Sequence, residues 1–289
     1  MPLPANLKRW TEQSLKQYNL WAGVKRGQHF LIDQGVLDSI VRAADIKLSD
    51  NILEVGGGLG ILTLALIDLA NQVVTVELEP VLVKALSRFL STSPNLKVLA
   101  GDILKLNDEK ILSQFKLSPG ASIKIVANLP YDISGAFLKR FLSSPLPITD
   151  LTLLLQKEVA ARLAARPGHM SLLSVLAQIN SQVKIIRHVG PTSFYPPPQV
   201  DSAIVKITRY SSVEKEQLLN GVPEEDIWRW ARIGYSARRK MLTNNLQAAT
   251  KLSAADLSAI FKKNSLSDKA RAQELSIEQW VELGRELSD

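Results

Sequence analysis

At 289 residues the chain exceeds the usual single-domain size, so one large domain and a smaller one are expected. Apolar residues make up 46% and charged residues 22%, close to the globular average, with no low-complexity tract and no fixed-period repeat, so disorder is not the default. The formal charge of +7 admits an anionic partner, and the lack of cysteine excludes disulfides, thiolate metal sites and a cysteine nucleophile.

The first residues, Met1 to Lys8, contain no apolar run of signal-peptide length. The most apolar stretch, Ile52 to Ala70, is interrupted by Glu54, Asp68 and four glycines and makes a poor membrane span. A cytoplasmic protein without membrane contact is expected. Residues 1–22 read as an N-terminal extension, in which Trp10, Tyr18 and Trp21 either pack back onto the domain or stack on a nucleic acid. Between Met1 and Leu31, five basic residues (Lys8, Arg9, Lys16, Lys25 and Arg26) stand against Glu12 alone. That is either a solvated helix face or a polyanion contact.

From residue 50 to about 208, short apolar runs alternate with helical patterns, the signature of a parallel sheet covered by helices on both faces. Expected strands are Asn51–Val55, Gln72–Glu77, Leu96–Leu99, Ser122–Ala127 and Leu151–Gln156. Expected helices are Leu59–Leu69, Glu79–Leu90, Tyr131–Leu142 and one running from Lys157 to about Asn180. Two late strands, Val183–His188 and Ser202–Thr208, should finish the sheet in antiparallel fashion. Beyond Tyr210 the apolar residues fall at helical spacing, as in Trp228, Ala231 and Ile233, so residues 211–289 are expected to form a small all-helical domain. It carries Arg229, Arg232, Arg238, Arg239 and Lys240 with no acid among them.

The segment Leu53-Glu54-Val55-Gly56-Gly57-Gly58-Leu59-Gly60 joins a strand to a helix, where missing side chains let a ligand approach the backbone. The dinucleotide fingerprint would place its third glycine at position 61, which is Ile61, so a nicotinamide cofactor is disfavoured. Glu77 ends the second strand about twenty residues later, where a carboxylate can grip a ribose diol. Asp102, after the third strand, is suited to accept from an adenine amine. Taken singly, Glu77 reads equally as an exposed strand-end acid and Asp102 as a turn or helix cap. In this order the set resembles the class I S-adenosylmethionine methyltransferases. The resemblance implies Gly56 and Gly58 beside the methionine part, Glu77 on the ribose hydroxyls and Asp102 on the cofactor adenine.

Asn128-Leu129-Pro130-Tyr131 follows the fourth strand at the sheet's carboxyl edge. An exocyclic adenine amine is a poor nucleophile because its lone pair is delocalised into the ring. Two acceptors, the Asn128 side-chain oxygen and a carbonyl near Leu129, can hold its two N–H groups and turn the lone pair toward a methyl donor, so geometry replaces basicity. Pro130 fixes its own φ and presses Leu129 into an extended conformation, and Tyr131 can stack on the base. A direct displacement is expected, with no metal and no covalent enzyme intermediate.

This loop resembles that of amino-methyltransferases with an Asn/Asp-Pro-Pro-Tyr motif, and its leucine resembles the ribosomal RNA adenine dimethyltransferases. Gly27-Gln28-His29-Phe30-Leu31 is similar to that family's Gly-Gln-Asn-Phe-Leu segment, with His29 in place of asparagine; the resemblance implies that His29, Leu31 and Asn128 contact the cofactor. Gln156-Lys157-Glu158-Val159-Ala160, Arg162-Leu163, Pro167-Gly168, Leu173-Ser174-Val175 and Gln178 also match, although the segment from Gly168 to Ser171 is shorter than usual. In Phe194-Tyr195-Pro196-Pro197-Pro198-Gln199-Val200-Asp201-Ser202-Ala203, Phe194 is placed either as the second wall of a base pocket or as a core aromatic under a proline loop. Arg238-Arg239-Lys240, followed by Leu242, Asn244, Asn245 and Leu246, resembles the small-subunit enzymes and suits phosphate binding.

The resemblance thus implies a Rossmann-like, doubly wound α/β methyltransferase domain over residues 23–210 and a helical RNA- or ribosome-binding domain over 211–289. It further implies a monomer that uses S-adenosylmethionine, releases S-adenosylhomocysteine, and dimethylates N6 of two neighbouring adenines near the 3′ end of 16S ribosomal RNA within the assembling 30S subunit. Physical reasoning adds that the target adenine must be single-stranded or flipped out. The alternatives are a macrolide-resistance-type 23S RNA methyltransferase, a non-catalytic RNA- or transcription-binding module on the same fold, and, more remotely, a DNA adenine methyltransferase.

Overall fold

The computed structural model describes residues 3–20 and 28–288 and divides into two compact units, one holding residues up to 160 together with 184–208, the other 161–183 together with 209 onward. Trp21, Lys25, Arg26 and Gly27 lie outside the described residues.

The first unit begins with α1 (Leu7–Gln17), whose first turn is closed by the Asn6 side chain accepting from the Arg9 N–H. Then come β1 (Phe30–Leu31), α2 (Gln34–Ala44), β2 (Asn51–Val55), α3 (Ile61–Ile67), β3 (Gln72–Glu77) and α4 (Pro80–Phe89). β4 (Leu96–Ala100), α5 (Asp108–Leu112), β5 (Ile123–Asn128), α6 (Ser134–Leu142) and β6 (Ile148–Gln156) follow. After α7 (Lys157–Leu163) and α8 (Leu172–Gln178), the chain returns through β7 (Ser181–Val189), β8 (Phe194–Tyr195) and β9 (Ser202–Arg209).

Seven strands form one sheet in the order β4-β3-β2-β5-β6-β9-β7. β2 pairs in parallel with β3 on one side and β5 on the other, with Leu53 opposite both Val74 and Ile125. Every β2 side chain is buried, Asn51 and Glu54 included, because the strand is covered on both faces. The strand order reverses about β2, so the crevice between the carboxyl ends of β2 and β5 is the switch point where open α/β sheets bind ligands. β9 runs antiparallel to β6, pairing Gln156 with Ser202, so the expected antiparallel finish is present. Leu37 and Ile40 of α2, Leu64 and Leu66 of α3 and Val73 of β3 share one core that also takes in Leu7 of α1. Leu15 of α1 is buried against Leu59 and Leu82, with Trp10, Phe30 and Tyr195 half-buried beside them, so α1 and Trp10 pack onto the domain.

The second unit contains α8 and five further helices: α9 (Ser212–Leu219), α10 (Glu224–Gly234), α11 (Leu242–Gln247), α12 (Ala254–Lys263) and α13 (Ile277–Ser288). Ser211 with Glu214 and Ser253 with Asp256 form reciprocal capping boxes that start α9 and α12. The single helix expected from Lys157 to Asn180 is instead two. Pro167 brings no N–H, Gly168 sits at φ +99°, and the Gly168 and Met170 N–H groups donate to the Gln273 carbonyl at 2.8 and 3.1 Å rather than to a helix. Met170, Val175 and Ile179 are buried with Ile227, Trp230 and Trp280, which is why residues 161–183 belong to the helical unit rather than to the domain drawn over 23–210. Among the described residues no helix is long and apolar enough to cross a membrane.

Candidate active site

A cavity of about 610 Å³ opens at the switch point of the first unit. It is lined by His29, Leu31, Gly56, Gly58, Glu77, Asp102 and the whole Asn128–Tyr131 loop, residues that come from five separate stretches of sequence. The glycine loop reaches it through left-handed backbone: φ is +76° at Gly56, +55° at Gly58 and +91° at Gly60, the last of which delays α3 to Ile61. Gly57, which the sequence did not single out, has a different reason. A Cβ there would lie 2.4 Å from Thr75 Oγ1 and 2.9 Å from Leu86 Cδ1, so only glycine lets the loop rest on β3 and α4.

Glu77 is buried, and both its oxygens are engaged: Oε2 accepts from the Gly58 N–H at 2.8 Å and Oε1 from the Glu79 N–H at 2.9 Å. The carboxylate therefore fixes the glycine loop to the end of β3 and keeps lone pairs for a diol. Asp102 takes its turn-forming role as well, with Oδ1 accepting from the Leu104 N–H at 2.9 Å. Directly after each acid in sequence stand Leu78, 66% exposed despite its size, and the buried Ile103. Both line the cavity and offer apolar surface to a flat ring; an exposed leucine directly after a strand-end acid was the available sequence signal.

Asn128 ends β5, and its Nδ2 donates to the His29 carbonyl at 3.2 Å. A carbonyl only accepts, so the amide must turn its NH₂ toward His29, and Oδ1 remains as the acceptor. The Pro130 carbonyl is taken by the Ile133 N–H and the Ser134 hydroxyl, at 3.3 and 3.1 Å. The Leu129 carbonyl takes no part in this turn, while the Leu129 side chain is buried and its N–H donates to the Leu154 carbonyl at 3.3 Å. Tyr131 is half-buried, with its hydroxyl 2.6 Å from Ser202 Oγ; burial pushes the phenol above its ordinary value, with the Ser202 bond opposing. Its ring stands 5.4 Å from that of His29, tilted by 32°.

One expectation changes, that of Phe194 as a wall of the base pocket. Phe194 is 2% exposed, pairs with Leu31 across the β1–β8 ribbon and packs in the core with Val189 and Ile204; it does not line the cavity. It is the core aromatic under the proline loop, buried on the same side of the ribbon as its partner Leu31. His29 does reach the cavity, yet its Nδ1 is 2.7 Å from the Pro196 carbonyl, so that nitrogen carries the proton and serves the loop after β8.

Glu54, on β2 beneath the glycine loop, was passed over by the sequence reading. It has no exposed surface, Thr63 Oγ1 donates to its Oε2 at 2.6 Å, and its Oε1 has no partner. Burial pushes this carboxyl up to about 7, with the nearby Glu77 charge adding a little, against the Thr63 and Thr75 hydroxyls that lower it.

In the second unit, Arg229, Arg232, Arg238, Arg239 and Lys240 are all exposed. The turn that carries the last three is held from within: buried Asn245 donates to the carbonyls of Gly234 and Ala237 at 2.7 and 3.3 Å, and the Tyr235 hydroxyl donates to Ala272 at 3.0 Å.

Residues 23–289 match the model of the family described as ribosomal RNA adenine dimethylase. A relative from Dehalococcoides mccartyi named ribosomal RNA small subunit methyltransferase A is 38% identical over 96% of this chain and 92% of its own length. One of the same name from Alkaliphilus oremlandii is 33% identical over 96% of each. Among solved structures, a dimethyladenosine transferase from Plasmodium falciparum superposes with a TM-score of 0.70 at 27% identity, covering 88% of this chain and 96% of that one. The 23S rRNA methyltransferase ErmE does so with a TM-score of 0.69 at 26% identity, covering 90% and 100%. The chain belongs to the ribosomal RNA adenine dimethylase family.

Proposed function

We propose that the chain transfers methyl groups from S-adenosylmethionine to N6 of two neighbouring adenines near the 3′ end of 16S ribosomal RNA, acting as a cytoplasmic monomer on the assembling 30S subunit. The cavity fits the cofactor. Gly56 and Gly58 would flank its methionine part, Glu77 the ribose hydroxyls, and Asp102 its adenine amine, with Leu78 and Ile103 on the ring faces. When bound, the cofactor supplies a methyl group on a positively charged sulfur that departs as a neutral thioether.

Asn128 Oδ1 and the Leu129 carbonyl accept the two N–H groups of the target amine, aiming its lone pair out of ring conjugation. As the nitrogen–methyl bond forms and the sulfur–methyl bond breaks, the nitrogen's proton becomes acidic and passes to water. Tyr131 carries the base on its face, and Ser202 keeps the phenol from rotating. In the second round the monomethylated amine still offers one N–H to hold. Arg238, Arg239 and Lys240 would contact phosphates and position the RNA without reading its sequence.

The amide orientation imposed on Asn128 by the His29 carbonyl carries this reading. Labelled methyl transfer to 30S subunits lacking the modification, followed by mapping, tests it: two neighbouring dimethyladenosines are expected. Incorporation into naked 23S RNA instead would favour the second reading, which the likeness to ErmE keeps open.

A further inference from the structure

The loop that carries Asp102 is tied to the helix that leaves the target loop. Asp102 closes the segment on itself, its backbone carbonyl accepting from the Lys105 and Leu106 N–H groups at 2.9 and 3.0 Å. The carbonyls of Ile103 and Leu106 lie outside that pair of bonds, and both are met by one side chain. Arg140, on α6, donates from Nη1 to Ile103 and from Nη2 to Leu106, and Nη2 also reaches Asp108 Oδ1 at 2.9 Å. Ser144 donates to the other Asp108 oxygen at 3.2 Å, and the Phe141 ring lies 4.9 Å from the guanidinium carbon. Half-buried, Arg140 has its donors fixed in a plane.

We infer that Arg140 is a positioning residue that sets the Asp102 loop against the purine edge of the cofactor and thereby makes the site prefer a 6-amino over a 6-oxo purine. The inference rests on the assignment of Asp102 to the cofactor adenine. Three acceptors on two backbone turns and one carboxylate need a planar fork; an ammonium is a single point that cannot meet the same three atoms in the same directions. Without the fork, two half-buried carbonyls must find other donors, and the turn that aims Asp102 re-forms around them. α6 begins at Ser134, three residues after Tyr131, so one helix supports the target loop at its start and the adenine loop near its end.

The test titrates the full chain with S-adenosylhomocysteine and with its inosine counterpart, in wild type, R140Q and R140K. Wild type should prefer the amino form. In R140Q, binding of S-adenosylhomocysteine should weaken about tenfold, the loss of one charge-assisted hydrogen bond, while the inosine form changes little, so the preference collapses. R140K should fall between them, and it decides the matter alone if R140Q does not fold. An R140Q or R140K that melts earlier but keeps the full preference would overturn the inference and leave Arg140 a structural ion pair. A wild type that binds both forms alike overturns the Asp102 assignment and the inference together.

Discussion

The cavity of the first unit and the basic turn of the second are built on opposite plans. In the cavity, each polar group offered to a ligand is held from behind: Asn128 by the His29 carbonyl, Tyr131 by Ser202, Glu77 by two backbone N–H groups. In the turn from Tyr235 to Lys240, it is the backbone that is fixed, by Asn245 and Tyr235, while the charged ends of Arg238, Arg239 and Lys240 stand in solvent. Moving a methyl group onto an amine demands positions good to a fraction of an ångström. Holding a polyanion demands charge within reach, and long side chains supply it without being fixed.

That contrast assigns the largest single-residue effect to Asn128. Asn128→Ala should lower methyl transfer by about 10²–10³-fold, the usual cost of one preorganised polar group, while affinity for S-adenosylhomocysteine in a calorimetric titration falls far less. Near-normal turnover in that variant would sink the role assigned to the amide.

Glu54 sharpens the comparison from below the cavity. Its carboxyl ionises near 7 in the fold against an ordinary value of 4.5, so its charging opposes folding: the penalty is absent below about 4.5, grows as pH rises and is complete above about 7. Glu54→Gln keeps an oxygen for Thr63 and cannot charge, so it should gain stability over wild type by up to about 3 kcal/mol at pH 8 and little at pH 4.5. Urea unfolding at the two pH values measures this, and a gain that does not change with pH would refute it. Gly57→Ala comes next, at about 1–3 kcal/mol lost, because its Cβ would press on Thr75 and Leu86. Its melting point should fall and its cofactor binding weaken together; an unshifted melting point would show that the loop can move away from β3.

The strand-end acids and the tetrapeptide were legible because parallel sheets present ligand groups at one edge, which sequence spacing reveals. Partners were not legible: the group that turns the Asn128 amide lies 99 residues away, and Arg140 reads along the chain as one more solvated charge on a helix. The β1–β8 ribbon is too short for a period of two to register, so the side of Phe194 could not be chosen. α5 spans five residues, less than two turns, and gave no apolar period. α2 did leave a signal, with Asp33 capping the Val36 N–H ahead of Val36, Leu37 and Ile40, and it was passed over. Pro167-Gly168 marked the break between α7 and α8, but only the tertiary contacts of Met170 and Val175 show that the segment joins the helical unit.

The smallest effects should come from the basic turn, and their form matters more than their size. Because Arg238, Arg239 and Lys240 are exposed and the backbone beneath them is held by other residues, replacing any one with alanine should leave folding and S-adenosylhomocysteine binding as they are. Each replacement should weaken binding to 16S RNA modestly and uniformly, and should reduce the slope of log affinity against log salt by about one. Asn245→Ala reaches the same turn by the other route, freeing the Gly234 and Ala237 carbonyls without removing charge. If charge alone matters there, Asn245→Ala should cost stability and leave the salt slope unchanged. A salt slope that drops in Asn245→Ala would mean that the turn, like the cavity, works by fixed geometry, and the contrast between the two regions would fail.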